Sequence, residues 1–75
     1  MNIQVYVRQA YCPYCDKAKE LLADNNMPFE VIVLDTEELK EDIKARSGMR
    51  TVPIIYIDGR LVGGYDQLKE YVNGN

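Results

Sequence analysis

Cys12 and Cys15 are the only two thiols in the chain, held in the run Cys12-Pro13-Tyr14-Cys15. Two sulfurs at this spacing can carry out thiol–disulfide exchange. One thiolate attacks a disulfide sulfur, and the other resolves the mixed disulfide. There is no histidine in the 75 residues, so Cys–His couples, Ser–His–Asp triads and histidine metal sites are excluded within the chain. Two other readings of the pair stand beside the redox one. It would be half of a metal site only if a second chain completed it, because no further Cys or His is present. It would be a passive local bridge or a pair of inert core thiols if nothing activated the sulfur. As a staple it would achieve little, since the loop it closes is very short.

The elements around the pair favour the redox reading. Asn2 to Val7 alternates, with Ile3, Val5 and Val7 on one side and Gln4 and Tyr6 on the other, which predicts a strand. Arg8 to Tyr11 is a short loop. Pro13 suits the first turn of a helix, where its missing N–H costs nothing. The helix is expected to run from Pro13 to Asp24, with Cys15, Ala18, Leu21 and Leu22 facing the core. Asn25-Asn26 and Pro28 stop it. Cys12 therefore precedes a helix N-terminus, where free N–H groups and the macrodipole favour negative charge and lower a thiol pKa. Cys12 is expected to be reached by solvent and to act as the nucleophile. Cys15, one turn in, is expected to be more buried and to resolve. Pro13 restricts the loop, Tyr14 offers an aromatic surface, and Arg8 and Lys17 add positive potential.

Phe29 to Leu34 reads as a strand, and its nearly continuous Val31-Ile32-Val33-Leu34 predicts burial on both faces. Asp35, with Glu38 three residues on, has the pattern of a capping box. The helix it would open runs to about Arg46, anchored by Leu39 and Ile43 and closed by Ser47-Gly48. Its charge makes it the more exposed of the first two helices. Pro53 to Ile57 is a third strand, Asp58-Gly59 a hairpin turn, and Leu61-Val62 a short fourth strand. After Gly63-Gly64, Asp66 is expected to cap a last helix carrying Leu68, Tyr71 and Val72. The order β-α-β-α-β-β-α predicts an α/β fold, with a four-stranded mixed sheet and three helices. Its first βαβ unit is parallel and right-handed.

Composition narrows the function. With 47% hydrophobic and 28% charged residues the chain is globular in type, and its length suits one domain over residues 1–75. No apolar run approaches the roughly 18–20 residues of a membrane span. Met1-Asn2-Ile3-Gln4 does not begin a secretory signal. Nine Lys and Arg against twelve Asp and Glu give net −3, which argues against a broad grip on nucleic acid. Secreted scaffolds of this size usually carry more cysteines, spread along the chain, so a cytoplasmic setting is expected.

Three blocks in order, Cys12-Pro13-Tyr14-Cys15, Thr51-Val52-Pro53 and Gly63-Gly64-Tyr65-Asp66, resemble those of the dithiol glutaredoxins of the thioredoxin fold. The resemblance extends from the first strand to the last helix. It implies a glutathione-dependent thiol–disulfide oxidoreductase with no permanently bound cofactor and no metal. It also implies a cis Val52–Pro53 bond facing the cysteines, which exposes the Val52 backbone to a substrate segment that pairs as an added strand. Glutathione would then lie along Tyr14, Thr51, Val52 and Pro53. Gly64, Asp66 and Gln67 would hold its γ-glutamyl end at the last helix, and Arg8, Lys40 or Arg50 its glycyl carboxylate. The family's basic residue three positions before the first cysteine is Gln9 here, and Gln67 is neutral.

The implied partners are glutathione and disulfide-containing or glutathionylated proteins, ribonucleotide reductase among them, acting on a monomer. Two alternatives carry different chemistry. Short glutaredoxin-like proteins of this length take electrons from thioredoxin reductase and serve ribonucleotide reductase. Other glutaredoxins bind an iron–sulfur cluster between two chains.

Overall fold

The structure, a computed structural model, describes residues 1–74. Its elements are β1 (Ile3–Arg8), α1 (Pro13–Asp24), β2 (Glu30–Leu34), α2 (Glu37–Ser47), β3 (Ile54–Ile57), β4 (Arg60–Gly63) and α3 (Tyr65–Val72). The expected order is therefore found. The strands form one sheet in the order β2-β1-β3-β4, in which β1 runs parallel to β2 and antiparallel to β3. β3 and β4 form the antiparallel hairpin, turned by Asp58 (φ 51°) and Gly59 (φ 81°). Paired left-handed residues of this kind match the twist of the strands they join.

Both faces of the sheet are covered, and two clusters fill them. On one face Ile3, Val5, Val7, Ile55 and Ile57 pack with Ala18 and Leu22 of α1 and Leu68 of α3, and both cysteines belong to this cluster. On the other, Tyr6, Leu34, Ile54 and Tyr56 pack with Ile43 of α2. Alternation along a strand is what sends Val5 and Tyr6 to opposite faces. Tyr6, placed on the polar side of β1 by its neighbour Gln4, is thus a core residue of the second face (7% exposed).

Four local expectations are corrected. β2 is not buried on both faces, because Val31 and Val33 are each 40% exposed. β2 is an edge strand beside β1, and α1 packs over β1, so the outward valines are left uncovered. The cap of α2 is Thr36, whose hydroxyl accepts the Leu39 N–H at 3.1 Å, rather than Asp35. The cap of α3 is Gly64 rather than Asp66, because the helix already begins at Tyr65. Leu39 is 38% exposed, which leaves Ile43, 1% exposed, as the one buried residue of α2.

With so little apolar surface, α2 is held down by a cationic lid as well. The Tyr6 and Tyr56 rings meet edge to face at 5.9 Å. The Arg46 guanidinium lies over both, 5.8 and 5.6 Å from their centroids, and donates to the Tyr6 hydroxyl at 3.2 Å. That hydrogen bond is the main reason the Arg46 pKa lies above its ordinary value. Arg46 also pairs with Asp42 at 3.4 Å, one turn back along α2.

Ile43→Ala is expected to cost about 2–5 kcal/mol, the range for a buried aliphatic truncation. Leu39→Ala should cost less than about 1 kcal/mol, as for an exposed position. Urea unfolding of the two variants measures the difference.

Candidate active site

The site begins with β1. As an inner strand it is fixed on both sides, and its C-terminal end delivers the chain through residues 9–11 to the start of α1. Arg8 secures this loop by donating from Nε (3.0 Å) and Nη2 (2.6 Å) to the Tyr11 carbonyl. Cys12 is the N-cap of α1, and Pro13 takes the first helical position. The Cys12 Sγ accepts the Cys15 N–H at 3.3 Å, and the Cys12 carbonyl accepts the Asp16 N–H at 3.1 Å. The sulfur thus takes the place that a Ser or Asp oxygen usually fills at a helix start.

The two sulfurs are joined as a disulfide, with the Cα atoms 5.2 Å apart. Cys15 is 2% exposed, as its place inside the turn requires. Cys12 is 8% exposed, more covered than a sulfur standing clear of the helix would be, and it lines the groove on the α2 side. Its side chain packs in the α1 face of the core. Tyr11 and Tyr14 beside it are exposed.

Charge near the sulfur is mixed. Asp16 stands in the first turn, and its carboxylate pairs with Lys19 at 3.5 Å. Lys17 places its ammonium 5.0 Å over the Tyr14 ring. The helix N-terminus is then the fixed positive element at Cys12, and Arg8 acts on it through the loop.

Thr51, Val52 and Pro53 precede β3, and the Val52–Pro53 peptide bond is cis. Val52 is half-buried and touches both core clusters. Two grooves meet along Tyr14, Thr51 and Val52. The first, about 450 Å³, runs towards α3 and is lined by Met49, Pro53, Gly64, Tyr65, Asp66 and Gln67. Its one charged residue is Asp66. The second, about 500 Å³, runs towards α2 past Cys12 and Pro13, and its charged residues are Arg8, Lys40, Lys44 and Arg50. The structure therefore brings the sequence-predicted residues together around the cysteines, divided into an acidic and a basic side. A further depression, about 740 Å³ between β4 and α3, is lined by neither cysteine and lies apart from this chemistry.

Leu34, Lys44, Met49 and Tyr65 line the grooves without having been expected at the site. Lys44 stands one turn from Lys40 on the same helix face, a spacing that could have revealed it. Met49 carries no motif. Tyr65 lies 5.9 Å from Tyr14, centroid to centroid, a contact that only the tertiary fold creates. The Gln67 side chain is already engaged, since its Oε1 accepts the Gly64 N–H at 2.9 Å. That bond closes one of the open donors at the start of α3. It also packs Gln67 against Gly63, whose φ of +127° and lack of a Cβ make room for it.

Comparison with known proteins agrees with this geometry. The family model described as Glutaredoxin matches residues 3–62. Glutaredoxin 3 of Escherichia coli K12 is 40% identical over 68 residues, spanning 89% of this chain and 81% of that protein. Hybrid peroxiredoxin hyPrx5 of Haemophilus influenzae is 43% identical over 70 residues, 93% of this chain but only 29% of that longer protein. Among solved structures, a buckwheat glutaredoxin–glutathione complex superposes with a TM-score of 0.82 at 28% identity, covering 96% of this chain and 69% of that one. The holo form of glutaredoxin C1 from Populus tremula x tremuloides gives 0.85 at 30% identity, covering 97% and 75%.

An alanine at position 63 would set its Cβ 2.9 Å from Gln67 Cγ, in a conformation L-residues rarely adopt. Gly63→Ala should lose about 1–3 kcal/mol. Gly64→Ala meets only ordinary contacts, the nearest at 3.5 Å, and should lose less than about 1 kcal/mol. Urea unfolding ranks the two.

Proposed function

The chain belongs to the glutaredoxin family and is a thiol–disulfide oxidoreductase, and from that premise we propose that glutathione is its reductant and that its substrates are protein disulfides and glutathione mixed disulfides. The observation that carries this is the division of charge across the cysteines. Glutathione has an ammonium and a carboxylate at its γ-glutamyl end and a lone carboxylate at its glycyl end. Asp66 on the α3 side suits the ammonium, and the α3 N–H groups not taken by Gln67 suit the carboxylate beside it. Arg8, Lys40 and Arg50 on the α2 side suit the glycyl carboxylate. The Val52 backbone between them suits the cysteinyl amide as an added strand.

In the reaction, the Cys12 thiolate attacks one sulfur of a substrate disulfide and releases the other as a thiolate. The Cys15 thiolate then attacks Cys12 Sγ, forms the Cys12–Cys15 disulfide and frees the second substrate thiolate. Two glutathiones reverse the change. The first forms a mixed disulfide at Cys12, and the second takes the glutathionyl group away as glutathione disulfide. The Cys15 N–H on Cys12 Sγ and the start of α1 stabilise the sulfur as it gains charge. A reducing, cytoplasmic compartment suits a pair that must cycle.

A second reading of the partner has its own support. A hybrid peroxiredoxin contains a segment like this chain, so an oxidised peroxiredoxin cysteine joins the proposed substrates. Adding this protein with glutathione and glutathione reductase to a separate peroxiredoxin should then sustain peroxide consumption, and no increase counts against that partner.

Cys12→Ser should abolish every activity. Cys15→Ser should still remove glutathione from mixed disulfides while losing most reduction of protein disulfides. NADPH oxidation coupled through glutathione and glutathione reductase should exceed that through thioredoxin reductase at least about tenfold, a free-energy difference of about 1.4 kcal/mol in the rate-limiting barrier. Faster turnover with thioredoxin reductase would assign the other electron donor.

A further inference from the structure

The basic groove is larger and more strongly charged than one glycyl carboxylate requires. Arg8, Lys40, Lys44 and Arg50 line it, and no acidic residue does. These are four of the chain's nine basic residues. In a chain of net −3, this groove beside Cys12 is a concentrated positive field. An adjoining depression of about 460 Å³ shares Lys44 and Arg50 with it and is also lined by Glu41. Two carboxylates partly offset the lysines. Glu37 lies 3.4 Å from Lys40 and Glu41 3.8 Å from Lys44, and all four side chains are solvent-exposed enough for such pairs to exchange readily.

From this we propose that the groove binds an acidic segment of the protein substrate, with carboxylates two residues apart on the C-terminal side of the reacting cysteine. The spacing follows from the helix. Lys40 and Lys44 stand one turn apart on α2, about 6 Å along its axis. Same-face side chains of an extended segment recur about every 6.6 Å, so alternate residues match the lysine spacing when the segment runs along α2. The direction rests on the glutathione reading above, in which the amino end lies at Asp66 and the carboxyl end at the cations. A protein segment paired with Val52 in the same sense sends the residues after its cysteine into the basic groove. The chemical step is the exchange already described. The groove acts on encounter and on the lifetime of the substrate complex.

The test uses the pre-reduced protein in single turnover, with no glutathione present. Its substrates are symmetrical disulfides of short peptides carrying Asp or Glu at the second and fourth positions after the cysteine, at the same positions before it, or Asn and Gln instead. The acidic C-terminal flank should be reduced about tenfold faster than the neutral one in about 0.01 M salt. Most of that preference should vanish by about 0.15 M, as the screening length falls from about 30 to about 8 Å. The double variant Lys40→Gln, Lys44→Gln should abolish the preference, and Lys40→Arg, Lys44→Arg should retain it. Equal rates for acidic and neutral peptides, or a preference that survives the glutamine variant, overturn the proposal. So does inhibition by a short single-stranded oligonucleotide without any peptide preference, which would assign the groove to phosphate. A preference for the N-terminal flank overturns the direction alone. Because glutathione is absent, failure of the glutathione reading in the coupled assay is seen separately.

Discussion

The structure is organised around one sulfur at the start of one helix. Cys12 caps α1, and its Sγ accepts the Cys15 N–H. A chain without histidine has no imidazole to activate a thiol, so the backbone must supply the favourable field. This demand fixes much else. The helix must begin immediately after Cys12, which Pro13 secures. β1 must hold its end still, and as an inner strand it is bonded on both sides. The loop between them must not wander, and Arg8 ties it through the Tyr11 carbonyl.

A thin fold can meet this demand because it spreads its core over both faces of one small sheet. The α1–α3 face carries most of the aliphatic packing and both cysteines, so the redox pair is anchored in the best-packed part of the molecule. The α2 face is leaner. It relies on Ile43 and on Arg46 lying across two tyrosines, an arrangement that combines aromatic contact with a charged hydrogen bond. That economy leaves the polar side of α2 free to present Lys40 and Lys44 beside the cysteines.

Much of this could be read from the chain. The cysteine pair, Pro13 and the alternation of β1 locate the strand–helix junction, because each is a local preference with one good solution. Asp58-Gly59 locates the hairpin for the same reason. The errors arose where a local pattern was ambiguous. An apolar run such as Val31-Ile32-Val33-Leu34 fits a central or an edge strand equally, and the neighbours decide which. Asp35 and Thr36 are both good caps, and the helix could use only one. Asp66 resembles a cap, but Gln67 bonding back to Gly64 starts the helix earlier.

The sequence by itself determined the chemistry and its place along the chain: two thiols one turn apart, at a helix start, with no histidine to assist them. These follow from residue types and short-range geometry, which a linear reading contains. Only the tertiary structure decided what surrounds the sulfur. It set Cys12 into the core at 8% exposure. It gathered Arg8, Lys40, Lys44 and Arg50 from three separate stretches of chain on one side of the site, and placed Asp66 on the other. Long-range charge is a property of positions in space, and the strand order that brings those positions together is fixed by packing across the whole sheet.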